Sequence, residues 1–183
     1  MTQEYWIKAK AFHGHECPGL AIGVKACEAA AEKMGVSLTP AFDEELVCIA
    51  ENDACGVDAV QALTGCTIGK GNLIYRGTGK QAFTFISRDG GKAMRFYFKA
   101  KNIGMERSQY QEYLLNAAVD DLFECREVDT APPERARIFS STACEKCGES
   151  AAEHKIRLQE GKQVCLDCFQ EYSRGWEASV DEN

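Results

Sequence analysis

Two Cys-x-x-Cys pairs near the C-terminus constrain the fold of this chain more than any other feature. Cys144 and Cys147 form the first pair, Cys165 and Cys168 form the second, and 17 residues separate the pairs. This spacing is typical of a zinc site in which four thiolates surround one tetrahedral ion. Since the segment holds few apolar residues, bound zinc should supply much of its folding free energy, on the order of 10 kcal/mol or more.

The residues around these pairs predict a particular order of elements. Gly148 suits a tight turn, residues 156–164 a β-hairpin, and residues 168–172 the start of a helix. A knuckle, a hairpin and a helix in this order are typical of a treble clef. The alternative is free or redox-active thiols, whereas the spacing fits none of the usual iron–sulfur patterns. His154 is expected to be a surface residue and not a ligand.

The charge of this region argues against nucleic acid as a partner. Residues 129–183 hold 7 Lys/Arg and 11 Asp/Glu, and the whole chain has a net charge of −7. A zinc ion with four thiolates adds about two more negative charges. We therefore expect a structural, docking or metal-handling role for the module.

Cysteine use and hydropathy together predict the compartment. The chain has ten cysteines but only three histidines, and its start lacks the features of a secretory signal. No apolar run approaches the roughly 20 residues that a membrane span needs. We expect a cytoplasmic protein without a membrane segment, whose thiols serve metal or redox chemistry and not disulfides.

A polar stretch containing Pro132 and Pro133 divides the chain. It predicts a core domain over residues 1–128, a linker over 129–137 and the four-cysteine module over 138–183. In the core, apolar periodicity predicts an α+β fold with helices packed on a mainly antiparallel sheet. The expected elements are helices over 18–34, 53–64 and 108–125 and strands at 46–50, 73–75, 83–85 and 94–98.

The N-terminal region gathers further candidate ligands. His13, His15 and Cys17 stand at alternate positions, so an extended backbone would point them the same way. Cys17 also precedes a predicted helix, whose N-terminus favours a thiolate. Two imidazoles and a thiolate suit zinc, nickel, copper or iron. The alternative is that the histidines are ordinary polar residues and that Cys17 is a buried cap.

A second group of candidates follows the predicted buried strand. Cys55 is another thiol at a helix start. Asp53 and Asp58 have three alternative roles: to cap that helix, to orient a histidine, or to act as a general base.

The glycine-rich loop over residues 65–72 is not a nucleotide-binding loop. Thr64 stands where the motif needs glycine, and Lys70 is followed by Gly71 where the motif needs Ser or Thr. Cys66, in the same loop, is expected to line a cleft. The remaining cysteines of this part of the chain, Cys27, Cys48 and Cys125, are expected to lie in the core.

Three motifs carry a resemblance to a known family. They are FHGHECPGL at 12–20, DACGVDAVQ at 53–61 and TGCTIGKGNL at 64–73. They resemble, in family order, the motifs of the FmdE family, which takes its name from the E subunit of formylmethanofuran dehydrogenase. The likeness covers residues 10–128, and longer family members carry an added C-terminal zinc finger.

The resemblance implies a fold, a site and a partner. It implies an α+β core that forms intertwined homodimers, a treble-clef finger, and a cleft lined by His13, His15, Cys17 and Cys55. The parent enzyme is a molybdenum or tungsten oxidoreductase that reduces carbon dioxide onto methanofuran in methanogenesis. The FmdE polypeptide does not hold the pterin metal of that enzyme, and family members also occur in organisms without methanogenesis.

Three roles are compatible with these residues. In the first, which we favour, the core binds a second transition metal (Zn, Ni or Fe) beside the one structural zinc of the finger, with Cys17, His15, Asp53 and Asp58 as catalytic candidates. In the second, Cys17 is the nucleophile of a thiol enzyme, with a histidine as its base. In the third, the chain is a dimeric adaptor subunit of a molybdenum or tungsten enzyme.

Overall fold

The chain divides into two compact units, Met1–Ala136 and Arg137–Asn183. The computed structural model describes residues 2–38, 44–102 and 104–172. No helix in these ranges is long and apolar enough to cross a membrane.

The first unit combines five helices and five strands within the described residues. In chain order they are α1 Thr2–His13, α2 Pro18–Met34, β1 Leu46–Ala50, α3 Gly56–Thr64, β2 Leu73–Tyr75, β3 Ala82–Ser87, β4 Ala93–Phe98, α4 Arg107–Asn116, α5 Val119–Leu122 and β5 Phe123–Glu127. This is the expected α+β architecture.

The five strands form one sheet in the order β2-β1-β3-β4-β5. Strands β1 and β2 are parallel because α3 connects them as a crossover. The other three pairings are antiparallel, as expected for a mainly antiparallel sheet. On the face that packs against the helices, the largest fully buried side chains include Phe83, Phe85 and Phe96.

Helix α2 is the central helix of the core, and its limits follow from its sequence. Cys17 is the N-cap, Pro18 occupies the first turn, and Gly35 ends the helix with φ 72°. Leu20 and Val24, on its apolar face, are fully buried. Helix α2 packs against α1, α3 and α4.

The chain after residue 106 differs from the single long helix predicted over 108–125. Helix α4 ends at Asn116, and Ala117 and Ala118 are extended. Cys125 therefore lies in β5, half-buried, and not on a helix face. Phe123 and Cys125 alternate with polar residues, which fits a strand, and β5 pairs along the edge of β4.

Three smaller expectations were also wrong. Helix α1 was not predicted, and His13 ends this helix where an extended segment was expected. Helix α3 begins at Gly56 with Cys55 at its N-cap, so Asp53 does not cap it. Cys66 does not line a cleft, because its side chain is fully buried and its thiol contacts the carbonyl oxygen of Leu46 at 3.3 Å.

Residues 129–136 contain neither helix nor strand, but they are held against the first unit. Arg88 donates a hydrogen bond to the carbonyl oxygen of Pro133 at 2.7 Å. The backbone N–H of Ala136 donates to the carboxylate of Glu44 at 3.1 Å. The stretch predicted as a linker thus runs along the surface of the core.

The second unit consists of two small hairpins within the described residues. Strands β6 Ser141–Ala143 and β7 Ser150–Ala152 form the first hairpin. A 3₁₀ turn over Glu153–Lys155 leads to the second, β8 Arg157–Gln159 and β9 Lys162–Val164. The helix predicted from Cys168 is not formed over residues 168–172, and any continuation lies outside the described residues.

Candidate metal centres

Four side chains from three helix ends meet in the first unit. His13 ends α1, His15 follows in the connecting loop, and Cys17 and Cys55 are the N-cap residues of α2 and α3. Their ligand atoms all lie within 4.8 Å of one another. The structure therefore brings together all four residues predicted for the core site.

The three N-terminal ligands converge through a turn and not through alternation along a strand. Helix α1 is followed by Gly14, which has φ 87° and donates a hydrogen bond to the carbonyl oxygen of Lys10 at 2.8 Å. This left-handed residue reverses the chain. The rings of His13 and His15 then lie 4.2 Å apart between centroids.

Cys55 reaches the cluster because helices α2 and α3 pack unusually closely. A Cβ placed on Gly23 would lie 2.2 Å from the carbonyl oxygen of Gly56, and one on Gly19 would lie 3.4 Å from Cβ of Cys55. Only glycine at Gly23 permits this approach. The signal for it in the sequence is two glycines four residues apart on one helix face, which the predictions from the motifs did not take into account.

Asp58 orients one of the ligands. Its Oδ2 lies 2.7 Å from Nδ1 of His13, and Nε2 of the same ring lies 3.9 Å from Sγ of Cys17. Gln61 donates to the other carboxylate oxygen of Asp58 at 3.3 Å. A carboxylate on one ring nitrogen fixes the tautomer and leaves the other nitrogen available to a metal ion.

The distances within the cluster suit one metal ion. Zn–S bonds are about 2.3 Å and Zn–N bonds about 2.0 Å, so two ligands of one tetrahedral ion lie roughly 3.3–3.8 Å apart. The 3.9 Å between Cys17 and His13 is close to this range. Burial, together with the neighbouring Cys17, raises the pKa of Cys55, and a bound cation would offset this effect.

Asp53 does not join the cluster. Its side chain is exposed, and the turn before α3 is instead stabilised by Asn52, whose Oδ1 accepts the N–H of Ala54 at 3.2 Å. Its predicted catalytic role remains a prediction. Cys27 and Cys48 lie in the core as expected, fully buried.

The second unit holds the other cluster. Cys144, Cys147, Cys165 and Cys168 bring their sulfur atoms within 4.8 Å of one another, and Cys147 and Cys165 are 3.9 Å apart. Gly148, with φ 79°, closes the first knuckle by donating to the carbonyl oxygen of Cys144 at 2.8 Å. His154 contacts the Phe139 ring and is not part of the cluster.

Backbone N–H groups favour a thiolate in this second cluster. The N–H groups of Cys147 and Cys165 point at Cys144 and lower its pKa to about 6. The nearby thiols raise the pKa of Cys168 to about 12, with Cys165 making the largest contribution. One metal ion would remove this conflict by binding all four sulfurs as thiolates.

The fold and the two clusters define a class of protein: an α+β core with a His/Cys centre, followed by a four-cysteine zinc finger. Residues 12–147 match the family described as "FmdE, Molybdenum formylmethanofuran dehydrogenase operon", and residues 137–174 match the prokaryotic dksA/traR C4-type zinc finger. The chain belongs to the FmdE family.

Two similar proteins extend the comparison. The first is an FmdE-like protein of tungsten formylmethanofuran dehydrogenase from Syntrophus aciditrophicus, whose crystal structure has 26% identity, 91% of each chain covered and a TM-score of 0.67. The second, from Archaeoglobus fulgidus, is described as a probable S-adenosyl-L-methionine-binding protein and is 33% identical over 91% of this chain. This chain spans about half, 52%, of that relative.

Proposed function

We propose that the core binds one transition-metal ion through His13, His15, Cys17 and Cys55, and that this ion is the functional centre of the protein. The observation that carries the proposal is the Asp58–His13 pair, which directs Nε2 of His13 towards Cys17. Two thiolates and two imidazoles suit zinc, nickel or iron, and two thiolates balance the charge of a divalent ion.

The exposure of the ligands favours chemistry at the core ion over a purely structural role. Cys17 is 2% exposed, whereas His15 is on the surface. We propose that His13, Cys17 and Cys55 hold the ion, and that His15 stands where water or a substrate group exchanges. Catalytic ions keep one such position, whereas structural ions are closed by four protein ligands.

Metal content of single variants tests this proposal. The full chain, purified without added metal, should carry two metal ions by mass spectrometry. Cys17→Ser and His13→Ala should each remove one ion, and His15→Ala should retain both. Unchanged metal content in Cys17→Ser and Cys55→Ser would contradict a core metal and would favour Cys17 as the nucleophile of a thiol enzyme.

The partners belong to the proposal as well. We propose a cytoplasmic homodimer that associates with a molybdenum or tungsten oxidoreductase, because the matched family is named after that enzyme's operon. A treble-clef form of the finger belongs to the same proposal. Purification from the native host, followed by mass measurement of the intact complex, tests both associations. A monomer without a molybdenum or tungsten enzyme would contradict them.

Binding of S-adenosylmethionine is not part of the proposal. The relative from Archaeoglobus fulgidus is about twice as long as the matched segment, so its name does not tell which half binds that nucleoside.

A further inference from the structure

A second polar cavity lies on the sheet face opposite the helices. Its volume is about 310 Å³. Four cations and one carboxylate line it, together with threonine side chains; the charged residues are Arg76, Lys80, Arg95, Arg126 and Glu51. An excess of three positive charges in one cavity is unusual for a chain whose net charge is −7.

The pairing of the strands places two of these cations side by side. Arg95 on β4 and Arg126 on β5 are direct partners in the antiparallel register. The side chains of such a pair leave the sheet on the same face with their Cβ atoms about 5 Å apart. Like charges at directly opposed positions repel, so this arrangement requires negative charge nearby.

Glu51 supplies negative charge to Arg95 only. Its carboxylate receives two hydrogen bonds from Arg95, from Nε at 2.5 Å and from Nη2 at 3.0 Å, and a third from Thr78 at 2.9 Å. Glu51 is 5% exposed, so this pair is a fixed part of the cavity wall. The pair leaves Nη1 of Arg95 as the guanidinium nitrogen for a ligand.

The other three cations are not neutralised in the same way. Within the described ranges, no salt bridge joins a carboxylate to Arg76, Lys80 or Arg126. Glu124 stands two residues before Arg126 on the same strand, but it does not line the cavity. The cavity therefore presents several donors and a net positive charge to whatever enters it.

We propose that this cavity binds the phosphate group of a small phosphorylated molecule. Arginine side chains present planar pairs of donors that match phosphate oxygens, and threonine hydroxyls add further donors. A volume of about 310 Å³ is at the small end of ligand pockets, so it suits a phosphate with a small organic group. The overall acidity of the chain disfavours a nucleic acid as the source of the phosphate.

Calorimetric titration of the full chain tests the proposal with three probes: inorganic phosphate, ribose 5-phosphate and ribose. Ribose 5-phosphate should bind saturably and ribose should not. Equal affinity for inorganic phosphate would identify free phosphate as the ligand, and weaker binding of phosphate would identify a phosphate ester. Absence of saturable binding by both phosphate probes would overturn the proposal.

Two exposed arginines of the cavity provide the variants, because replacing them should not disturb the fold. Arg126→Gln and Arg76→Gln should each weaken binding about tenfold, since each removes a charged hydrogen bond to the ligand. Arg107→Gln, an exposed arginine on α4, is the matched control and should change affinity less than about twofold. Equal losses in all three variants would reduce the effect to net charge and would overturn the proposal.

Cys17→Ser separates this site from the proposed metal centre. The cavity and the His/Cys cluster share no residue. The variant should therefore lose the core ion but keep its affinity for ribose 5-phosphate. Loss of both would mean that the phosphate binds at the metal, which would overturn a separate site.

Discussion

The two metal-ligand clusters of this chain are assembled in opposite ways. The finger takes its four sulfurs from two local knuckles within 25 residues, Cys144–Cys168. The core takes its ligands from residues 13–17 and from Cys55, and the packing of two helices joins them. The finger depends on its metal for its fold, whereas the core has a fold that creates the place for a metal.

The largest effect should come from breaking the finger. Cys165→Ser removes one thiolate, and the second unit has a buried apolar cluster of only three residues among those described: Cys144, Val164 and Cys165. Loss of zinc should then cost about 10 kcal/mol or more of folding free energy. Hydrogen exchange should show that β6 to β9 lose protection while β1 to β5 keep theirs.

Cys125→Ser is the control for this experiment, because Cys125 belongs to neither cluster. It should retain both metal ions and the protection of β6 to β9. Unchanged protection of these strands in Cys165→Ser would show that the finger folds without its ion.

The next largest effect should come from separating the helices of the core. In Gly23→Ala the new methyl group collides with the backbone of Gly56 at 2.2 Å, so α2 and α3 must move apart. We expect a loss of about 3 kcal/mol in the free energy of unfolding. The core ion should be lost too, because Cys55 moves away from Cys17.

Gly69→Ala is the matched control, since a Cβ at Gly69 meets no atom within 4 Å. Thermal unfolding and metal content should stay close to those of the wild type. A core ion retained in Gly23→Ala would contradict the role of the close contact between α2 and α3.

A smaller and more selective effect is expected from Asp58→Asn. The change removes the charge that orients His13 but keeps the shape of the side chain. Affinity for the core ion should fall about 10- to 100-fold, and the finger ion should be unaffected. Competition with a chelator measures both affinities.

Asp121→Asn, which alters an exposed carboxylate in α5, is the control and should change neither affinity. Equal weakening of the core ion by both variants would assign the effect to net charge and not to the orientation of His13.

The smallest difference should appear in the pH dependence of metal binding. The finger releases up to four thiol protons when it binds an ion, and the core at most two. Because the pKa of Cys55 is raised and that of Cys168 is about 12, both are protonated at pH 7 and must lose a proton to bind. Both affinities should therefore fall as the pH decreases from 8 to 7.

The finger should respond more steeply than the core, even though Cys144, with a pKa of about 6, is already ionised at pH 7. Chelator titrations at pH 7.0, 7.5 and 8.0 give the two slopes. A core slope equal to or greater than the finger slope would contradict the two-thiol ligand set.

Much of the architecture followed from local sequence. The strand at 46–50, the helix from Pro18 to Met34 and the finger cysteines were all expected, because each signal is contained within a few residues. The prediction failed where partners are distant. Residues 123–127 resemble the end of a helix, yet β4 binds them as a strand.

The sequence by itself determined the type of ligand and the finger cluster, since thiol and imidazole positions are read directly and knuckle spacing is local. Only the tertiary structure decided that Asp58, and not Asp53, contacts a histidine. It also decided that Cys55 lies beside Cys17. Both outcomes depend on the distance between α2 and α3, which Gly23 and Gly56 set by their lack of side chains.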